Sequence, residues 1–179
     1  MYDNIGIDSW KQILNDICSN PEVIEEYRKA FLLNLFQKVC SKMEKDIDYK
    51  KKINKLFLQS FSKVETTKKI VNQNASILLS DEDEKIISDW FDAYRKKSGT
   101  RKIISATIKK DLFKKQEGLC AVCGNELGND WSKIHVDHII PWKLVGDELD
   151  NNYQLLCGTC NECKSAKTDY LFKNLINLI

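Results

Sequence analysis

Hydrophobic residues in the first half of the chain recur at the three- and four-residue spacing of an α-helix. A short amphipathic helix is predicted over residues 10–17. Asn20-Pro21 then predicts the start of a long helix, because asparagine caps helix N-termini and proline suits the first helical position. The residues that this long helix is expected to bury are Val23, Tyr27, Ala30, Phe31, Leu35 and Val39.

Two further helices are predicted before residue 99. The second of them would open at Ser80, which has the spacing of a capping box with Asp83. Its acidic run, residues 81–84, is interpreted as a first helical turn favoured by the helix dipole rather than as a metal cluster. The apolar stripe of this helix comprises Ile86, Ile87, Trp90 and Tyr94, and the stripe of the helix before it comprises Ile53, Leu56, Phe57, Phe61 and Val64.

Short elements are predicted after residue 98, because six of the seven glycines lie there and glycine permits tight turns. Ser105 is expected to cap a helix that ends near Gly118. Residues 134–141 are β-branched and apolar around their polar positions, and they predict a strand that stops at Pro141. The patterning therefore predicts an α+β protein with a helical domain over residues 1–98 and a smaller domain over residues 99–179.

Composition narrows the class of protein. The chain has 179 residues, of which 42% are hydrophobic and 30% are charged, as in a soluble protein of one or two domains. It has no apolar run of about 18 residues and no signal-peptide pattern at its start, so we expect a cytoplasmic protein without a membrane partner.

One segment is strongly basic although the net charge is only +2. Between Arg95 and Lys115 there are nine basic residues and a single acid, Asp111. This segment is a candidate contact for a polyanion, with solvation of exposed helix faces as the alternative. The candidate nucleic-acid contacts here are Arg101, Lys102, Lys109, Lys110, Lys114 and Lys115.

Five of the seven cysteines lie between residues 120 and 163. Two CxxC pairs on tight turns are the arrangement that a four-cysteine zinc site requires, and a small glycine-rich domain needs such a staple. We favour structural zinc over redox thiols, disulfides or buried free cysteines. The first pair is Cys120 and Cys123, but the even spacing of Cys157, Cys160 and Cys163 leaves the second pair open.

Between the cysteine pairs, Asp137 and His138 are adjacent on the predicted strand. A carboxylate is a hard oxygen ligand for a divalent cation, and an imidazole titrates close enough to neutrality to take a proton from water. Alone, such a pair is more often a hydrogen-bonded surface pair. Its place between the cysteine knuckles favours a catalytic interpretation.

Three motifs in order resemble the HNH endonuclease family in its zinc-stapled form. They are Cys120-Ala-Val-Cys-Gly, His135-Val-Asp-His-Ile-Ile-Pro and the run from Asn152 to Lys164, and the resemblance covers roughly residues 100–170. Fifteen positions separate Asp137 from Asn152 and nine separate Asn152 from Asn161. The resemblance implies a ββα-metal fold in which a hairpin carries the Asp-His pair and a helix supplies the last ligand.

The resemblance also implies a role for each matching residue. His138 becomes the general base, and Asp137 and Asn161 become ligands of a catalytic Mg²⁺ or Mn²⁺ ion. Asn152 would brace the loop, and Lys164 would steady the phosphate. The resemblance places the zinc on Cys120, Cys123, Cys157 and Cys160, while His135 stays open between a DNA or metal-site contact and a structural hydrogen bond.

The function expected is a metal-dependent endonuclease that cuts DNA, double-stranded DNA above all, and leaves a 5′ phosphate and a 3′ hydroxyl. The alternatives are a non-catalytic zinc module that binds nucleic acid or protein, and a homing-type nuclease. The helices of residues 1–98 are candidates for docking a protein partner or DNA. The chain has 25 Lys against 3 Arg, which indicates an AT-rich genome, as in a bacterium, a phage or a mobile element. Small HNH proteins with an extra domain resemble restriction or anti-phage defence nucleases, so the resemblance favours that setting. The apolar tail, residues 170–179, would pack back on the fold or form a homodimer seam.

Overall fold

The chain divides between Arg95 and Lys96 into two compact units. A computed structural model describes residues 20–75 and 79–164. The helix predicted over residues 10–17 and the apolar tail lie outside the described residues. The architecture is α+β, as the sequence predicts, because a small two-stranded antiparallel sheet accompanies a mostly helical chain.

Four helices make up the described part of the first unit. They are α1 (Pro21–Lys45), α2 (Ile47–Gln59), α3 (Lys63–Ala75) and α4 (Asp81–Lys96). The start of α1 at Pro21 confirms the prediction from Asn20-Pro21. No helix among the described residues combines the length and apolar character that crossing a membrane requires.

The long helix α1 is buried on more of its surface than its predicted stripe. Leu32, Leu33 and Phe36 are at most 2% exposed, although none of them belongs to that stripe. The Phe36 ring packs edge-on against Trp90, Phe91 and Tyr94 of α4, with centroids 5.7, 5.1 and 6.4 Å away. The core of this unit therefore includes an aromatic contact between its first and last described helices.

The helix predicted to carry Phe57 and Phe61 on one stripe is two helices, and this prediction was wrong at Phe61. Ser60 is extended, and the Ser62 hydroxyl accepts a hydrogen bond from the Glu65 amide as a new helix begins. Phe61 lies in the break and is fully exposed, whereas Phe57 is buried. Serine capping at this point outweighs the continuity of the apolar pattern.

The acidic first turn of α4 is only partly solvated. The Ser80 hydroxyl bonds with the backbone amide and carboxylate of Asp83, which confirms the predicted cap. Asp83 and Glu84, however, are 0% and 2% exposed. Asp83 pairs with Arg28 at 2.6 Å and Glu84 with Lys68 at 3.1 Å, so ion pairs offset their burial.

The second unit is built around a hairpin. Its elements are α5 (Ala106–Lys115), β1 (Ile134–His138), α6 (Trp142–Val145), β2 (Tyr153–Cys157) and α7 (Gly158–Lys164). β1 and β2 are antiparallel, and their register pairs Ile134 with Cys157 and His138 with Tyr153. Ser105 caps α5 by accepting a hydrogen bond from the Ile108 amide, as predicted.

A small core joins α5 to the hairpin. Ile134, Leu155 and Leu156 are buried there together with Cys120 and Leu127. The Gln116 side chain, just after α5, accepts a hydrogen bond from the Leu155 amide and donates one to the Leu155 carbonyl. The end of α5 and β2 are thus tied at the place where the first cysteine turn begins.

Candidate active site and metal centre

Two tight turns bring four cysteines together. The first turn runs from Cys120 to Gly124, whose amide donates to the Cys120 carbonyl at 2.9 Å. The second lies where β2 passes into α7 and carries Cys157 and Cys160. The Cys157 amide donates a hydrogen bond to the Cys120 sulfur at 3.4 Å, which links the turns.

The spacing of the four sulfurs fits a tetrahedral zinc ion. All four lie within 4.8 Å of one another, and the Sγ atoms of Cys123 and Cys157 are 3.9 Å apart. Zinc–sulfur bonds of about 2.3 Å would hold tetrahedral sulfurs about 3.8 Å apart. The cluster is therefore compatible with structural zinc, and it settles the second pair as Cys157 and Cys160. Cys163 is exposed and lies outside the cluster.

The thiol electrostatics agree with a site for a cation. Burial acts to raise the pKa of Cys120, but backbone N–H groups of Cys123, Cys157 and Val122 outweigh it and lower the pKa to about 7. Burial and the neighbouring cysteines raise the pKa of Cys160 well above its ordinary value. Four clustered thiols cannot all ionise without a counter-charge, and a divalent cation supplies one.

An open cavity of about 300 Å³ lies at the end of β1. Asp137 and His138 reach it from β1, and Asn161 reaches it from α7. It gathers two oxygen-bearing side chains, an imidazole and several basic groups. The remaining lining residues are Arg101, Pro141, Trp142 and Lys143.

The Asp137 carboxylate is held by a buried lysine. Lys164 Nζ lies 2.7 Å from Asp137 Oδ2 and donates a hydrogen bond to the His138 carbonyl at 2.6 Å. The Lys164 side chain is 1% exposed. Asp137 Oδ2 is itself buried, so the Lys164 ammonium group is its ion-pair partner in the interior.

The His138 ring is held from two sides. Its Nε2 lies 2.8 Å from Asp147 Oδ1, and its ring centroid lies 4.8 Å from that of Tyr153. Asp147 also accepts hydrogen bonds from the Tyr153 hydroxyl, the Trp142 indole and the Lys102 amide, at 2.8 to 3.0 Å. Burial acts to raise the pKa of Asp147, but these four contacts outweigh it and hold the pKa below its usual range.

Asn152 braces the loop that follows β1. Its Oδ1 accepts a hydrogen bond from the Ile140 amide at 2.8 Å, and its Nδ2 donates one to the Ile140 carbonyl at 3.0 Å. The Asn152 carbonyl accepts a third bond from the Ile139 amide. Asn152 is 5% exposed and is not among the residues that line the cavity.

Comparison with protein families matches this region. Residues 120–167 fit the family model described as HNH endonuclease. The chain carries an HNH domain. This result confirms the resemblance that the three motifs indicate, and it supports a nuclease that binds nucleic acid as the function class of the domain. No solved structure gives a significant match to the chain.

The structure places the predicted residues of the HNH domain in three settings. Asp137, His138 and Asn161 share the cavity, while Asn152 supports the loop behind it. His135 is half-buried on β1, and its Nε2 would lie 3.7 Å from a Cβ added to Gly158. No polar contact of His135 is seen among the described residues, so its role stays open.

Lys164 requires a correction. The resemblance implies that it steadies the phosphate, but its side chain is buried and its ammonium group lies on Asp137 and the His138 carbonyl. A buried ammonium group with these partners holds the carboxylate in place instead.

The basic residues between Arg95 and Lys115 fall into two groups: some are bound to backbone carbonyls, and others are exposed or line the cavity. Lys109 Nζ donates to the carbonyls of Trp131 and Ile134, and Lys102 Nζ donates to the Asp147 carbonyl. Both ammonium groups are bound to backbone carbonyls, so these contacts favour a structural role of Lys102 and Lys109 over binding of a phosphate. Arg101 lines the cavity, and its guanidinium carbon lies 5.0 Å from the centre of the Trp142 ring. Lys110, Lys114 and Lys115 are exposed on α5.

Sequence reasoning missed Asp147, Trp142, Tyr153 and Lys143 at this site. Trp142 directly follows Pro141, where the predicted strand stops, and an aromatic residue there was a usable signal. Asp147 had none, because it lies in a run of ordinary loop residues nine positions after His138.

Proposed function

We propose that the chain is a metal-dependent endonuclease that hydrolyses phosphodiester bonds of DNA. The observation that carries the proposal is the single cavity onto which Asp137, His138 and Asn161 converge, with Arg101 beside them. These are a carboxylate, a base, a neutral oxygen ligand and a cation, the set of groups that phosphodiester hydrolysis uses.

His138 acts as the general base in this proposal. It takes a proton from water, and the water oxygen forms a bond to phosphorus. The bond from phosphorus to the 3′ oxygen breaks, the electron pair stays on that oxygen, and solvent protonates it. The products are a 5′ phosphate and a 3′ hydroxyl. Arg101, on the cavity wall, binds the charged phosphate oxygens.

Asp137 and Asn161 would hold a catalytic cation. Both present oxygen atoms, which hard cations such as Mg²⁺ and Mn²⁺ prefer. When bound, the cation would neutralise charge on the phosphate and on the leaving oxygen. Lys164 holds the Asp137 carboxylate in place through the ion pair at 2.7 Å.

Double-stranded DNA is the substrate that we propose. Arg101 and Lys143 make the cavity rim basic, and Lys110, Lys114 and Lys115 add an exposed basic face on α5. These groups suit the phosphate backbone and carry no information about base sequence.

Cleavage of supercoiled plasmid tests the proposal. Zinc-loaded protein with Mg²⁺ or Mn²⁺ should convert the plasmid to open circles if it nicks, or to linear DNA if paired sites cut both strands. His138→Ala should lower the rate by about 10²-fold or more, since a general base contributes about 10² to 10⁴. Asn161→Ala should also lower the rate, because it removes a ligand of the cation. Asn129→Ala, an exposed asparagine of the same unit, is the matched control. Equal rates for wild type and His138→Ala would contradict the proposal and favour a zinc module that only binds.

The biological setting that we propose is restriction or anti-phage defence in the cytoplasm, with the N-terminal unit docking a protein partner. The composition supports an AT-rich genome, and Leu58 and Phe61 of the N-terminal unit are 78% and 110% exposed. Phage plating efficiency on cells that produce wild type or His138→Ala tests the setting. Equal plating on both strains would contradict it.

A further inference from the structure

The Asp147 carboxylate is surrounded by donors on both of its oxygens. Oδ1 meets His138 Nε2 and the Tyr153 hydroxyl, each at 2.8 Å. Oδ2 meets the Lys102 amide at 2.9 Å and the Trp142 indole at 3.0 Å. The side chain is 1% exposed. An ionised carboxylate offers about four lone-pair positions, and here four groups occupy them.

The chemistry of these partners fixes the direction of each bond. A backbone amide and an indole N–H can only donate, so Oδ2 must accept. With Oδ2 taken by these two donors and two more polar groups on Oδ1, the ionised carboxylate, which has no proton to give, is the form that this surrounding favours. His138 Nε2 must therefore carry the proton in its contact with Oδ1. In a neutral imidazole the other nitrogen, Nδ1, is then the acceptor.

We infer that Asp147 is a positioning residue that holds His138 in the Nε2–H tautomer and so makes Nδ1 the atom that accepts the proton from water. The inference deepens the proposed function and rests on it, because it names the reacting atom of the proposed base. Asp147 touches neither substrate nor cation in this assignment. It acts only through the His138 ring.

The fold locks Asp147 in this place. Gly146, just before it, has φ +61°, and a Cβ there would lie 2.9 Å from the Lys97 Cβ. Lys102 Nζ donates to the Asp147 carbonyl at 2.9 Å, in addition to the bond from its own backbone amide. The carboxylate is thus presented by a turn that favours glycine and is clamped by the segment before α5.

Nuclear magnetic resonance of the full, zinc-loaded wild-type chain tests the inference directly. The chain has two histidines, so long-range ¹H–¹⁵N correlations give two ring patterns, and His138→Ala assigns them. At an alkaline pH where the ring is neutral, we expect His138 to be protonated at Nε2. A ring protonated at Nδ1 overturns the inference.

Two variants then show whether Asp147 orients the His138 ring or only stabilises the fold. Asp147→Asn places an amide where four donors converge, so we expect His138 to shift toward the Nδ1–H tautomer and kcat to fall by about 10²-fold or more, with KM nearly unchanged. Tyr153→Phe removes one bond to the same carboxylate but leaves its charge, so the tautomer should stay Nε2–H although Tm falls.

An Asp147→Asn protein that keeps both the wild-type tautomer and the wild-type kcat overturns the inference. So does a Tyr153→Phe protein whose tautomer shifts as much as that of Asp147→Asn. If Asp147→Asn does not fold, the wild-type spectrum still decides. If the wild-type chain shows the Nε2–H tautomer but does not cleave DNA, the proposed nuclease function is contradicted. The inference that Asp147 orients the His138 ring is then still supported.

Discussion

Replacement of Asn152 by alanine should destabilise the HNH domain through one neighbouring residue. The side chain satisfies both the amide and the carbonyl of Ile140, a residue that is 6% exposed. Alanine leaves both backbone groups buried without partners, and each such group costs about 1 to 3 kcal/mol. The expected loss is therefore about 2 to 6 kcal/mol in the free energy of unfolding. Asn152→Asp should not restore it, because one carboxylate oxygen would then face the Ile140 carbonyl oxygen.

Calorimetry of the zinc-loaded protein measures this loss. In a domain of this size 1 kcal/mol moves Tm by roughly 4 to 8 °C, so Asn152→Ala should lower Tm by about 8 °C or more. The transition to follow is the one that also shifts when zinc is chelated. Asn129→Ala, on an exposed loop, should leave Tm within about 2 °C, as ordinary surface changes do. A Tm for Asn152→Ala that matches this control would refute the idea that Asn152 braces the loop.

Three further outcomes follow from the structure. Phe57→Ala should lower the free energy of unfolding by about 3 to 5 kcal/mol, and Phe61→Ala by less than about 0.5 kcal/mol, because only Phe57 is buried. Denaturant unfolding measures both values, and equal effects would contradict the break between α2 and α3. By metal analysis, Cys120→Ser protein should hold much less than one zinc per chain, whereas Cys163→Ser protein should hold one. Loss of zinc from both variants would contradict the ligand set. Gln at Lys110, Lys114 and Lys115 together should reduce the slope of log binding constant against log salt by about 2 to 3, since each phosphate contact contributes roughly 0.9. Lys109→Gln should lower Tm and leave that slope unchanged, because its ammonium group is bound to Trp131 and Ile134.

Local signals predicted helix starts well. Asn20-Pro21 and Ser105 each begin a helix where expected, because a cap acts on amides only two or three residues away. The same rule accounts for the error at Phe61. Ser60 and Ser62 exchange hydrogen bonds with nearby backbone and end one helix before starting the next. Their hydroxyl groups compete with the apolar stripe, and a spacing pattern alone gives these groups no weight.

Burial of charge was harder to predict than burial of apolar groups. The sequence places Asp83 in an acidic first turn, which the helix dipole favours in water as well as in the interior. Its burial depends on Arg28, which lies 55 residues away and supplies the countercharge. Such a partner is visible only once the helices are packed, so the pattern around Asp83 cannot reveal it.

At the candidate active site, too, residues with a local sequence signal could be predicted, and residues whose partners lie far away in the sequence could not. Asp137 and His138 are adjacent, and a carboxylate beside an imidazole between two cysteine pairs indicates metal-assisted chemistry, so the residue types and their spacing were enough to make them candidates. The partners of Asp147 come instead from four separate places, one of them the backbone amide of Lys102, which any residue except proline would supply. A residue that reacts must have a particular side chain, whereas a residue that positions it needs only the right place. For this reason the sequence points to His138 as the candidate base, and only the fold points to the nitrogen that this base is expected to use.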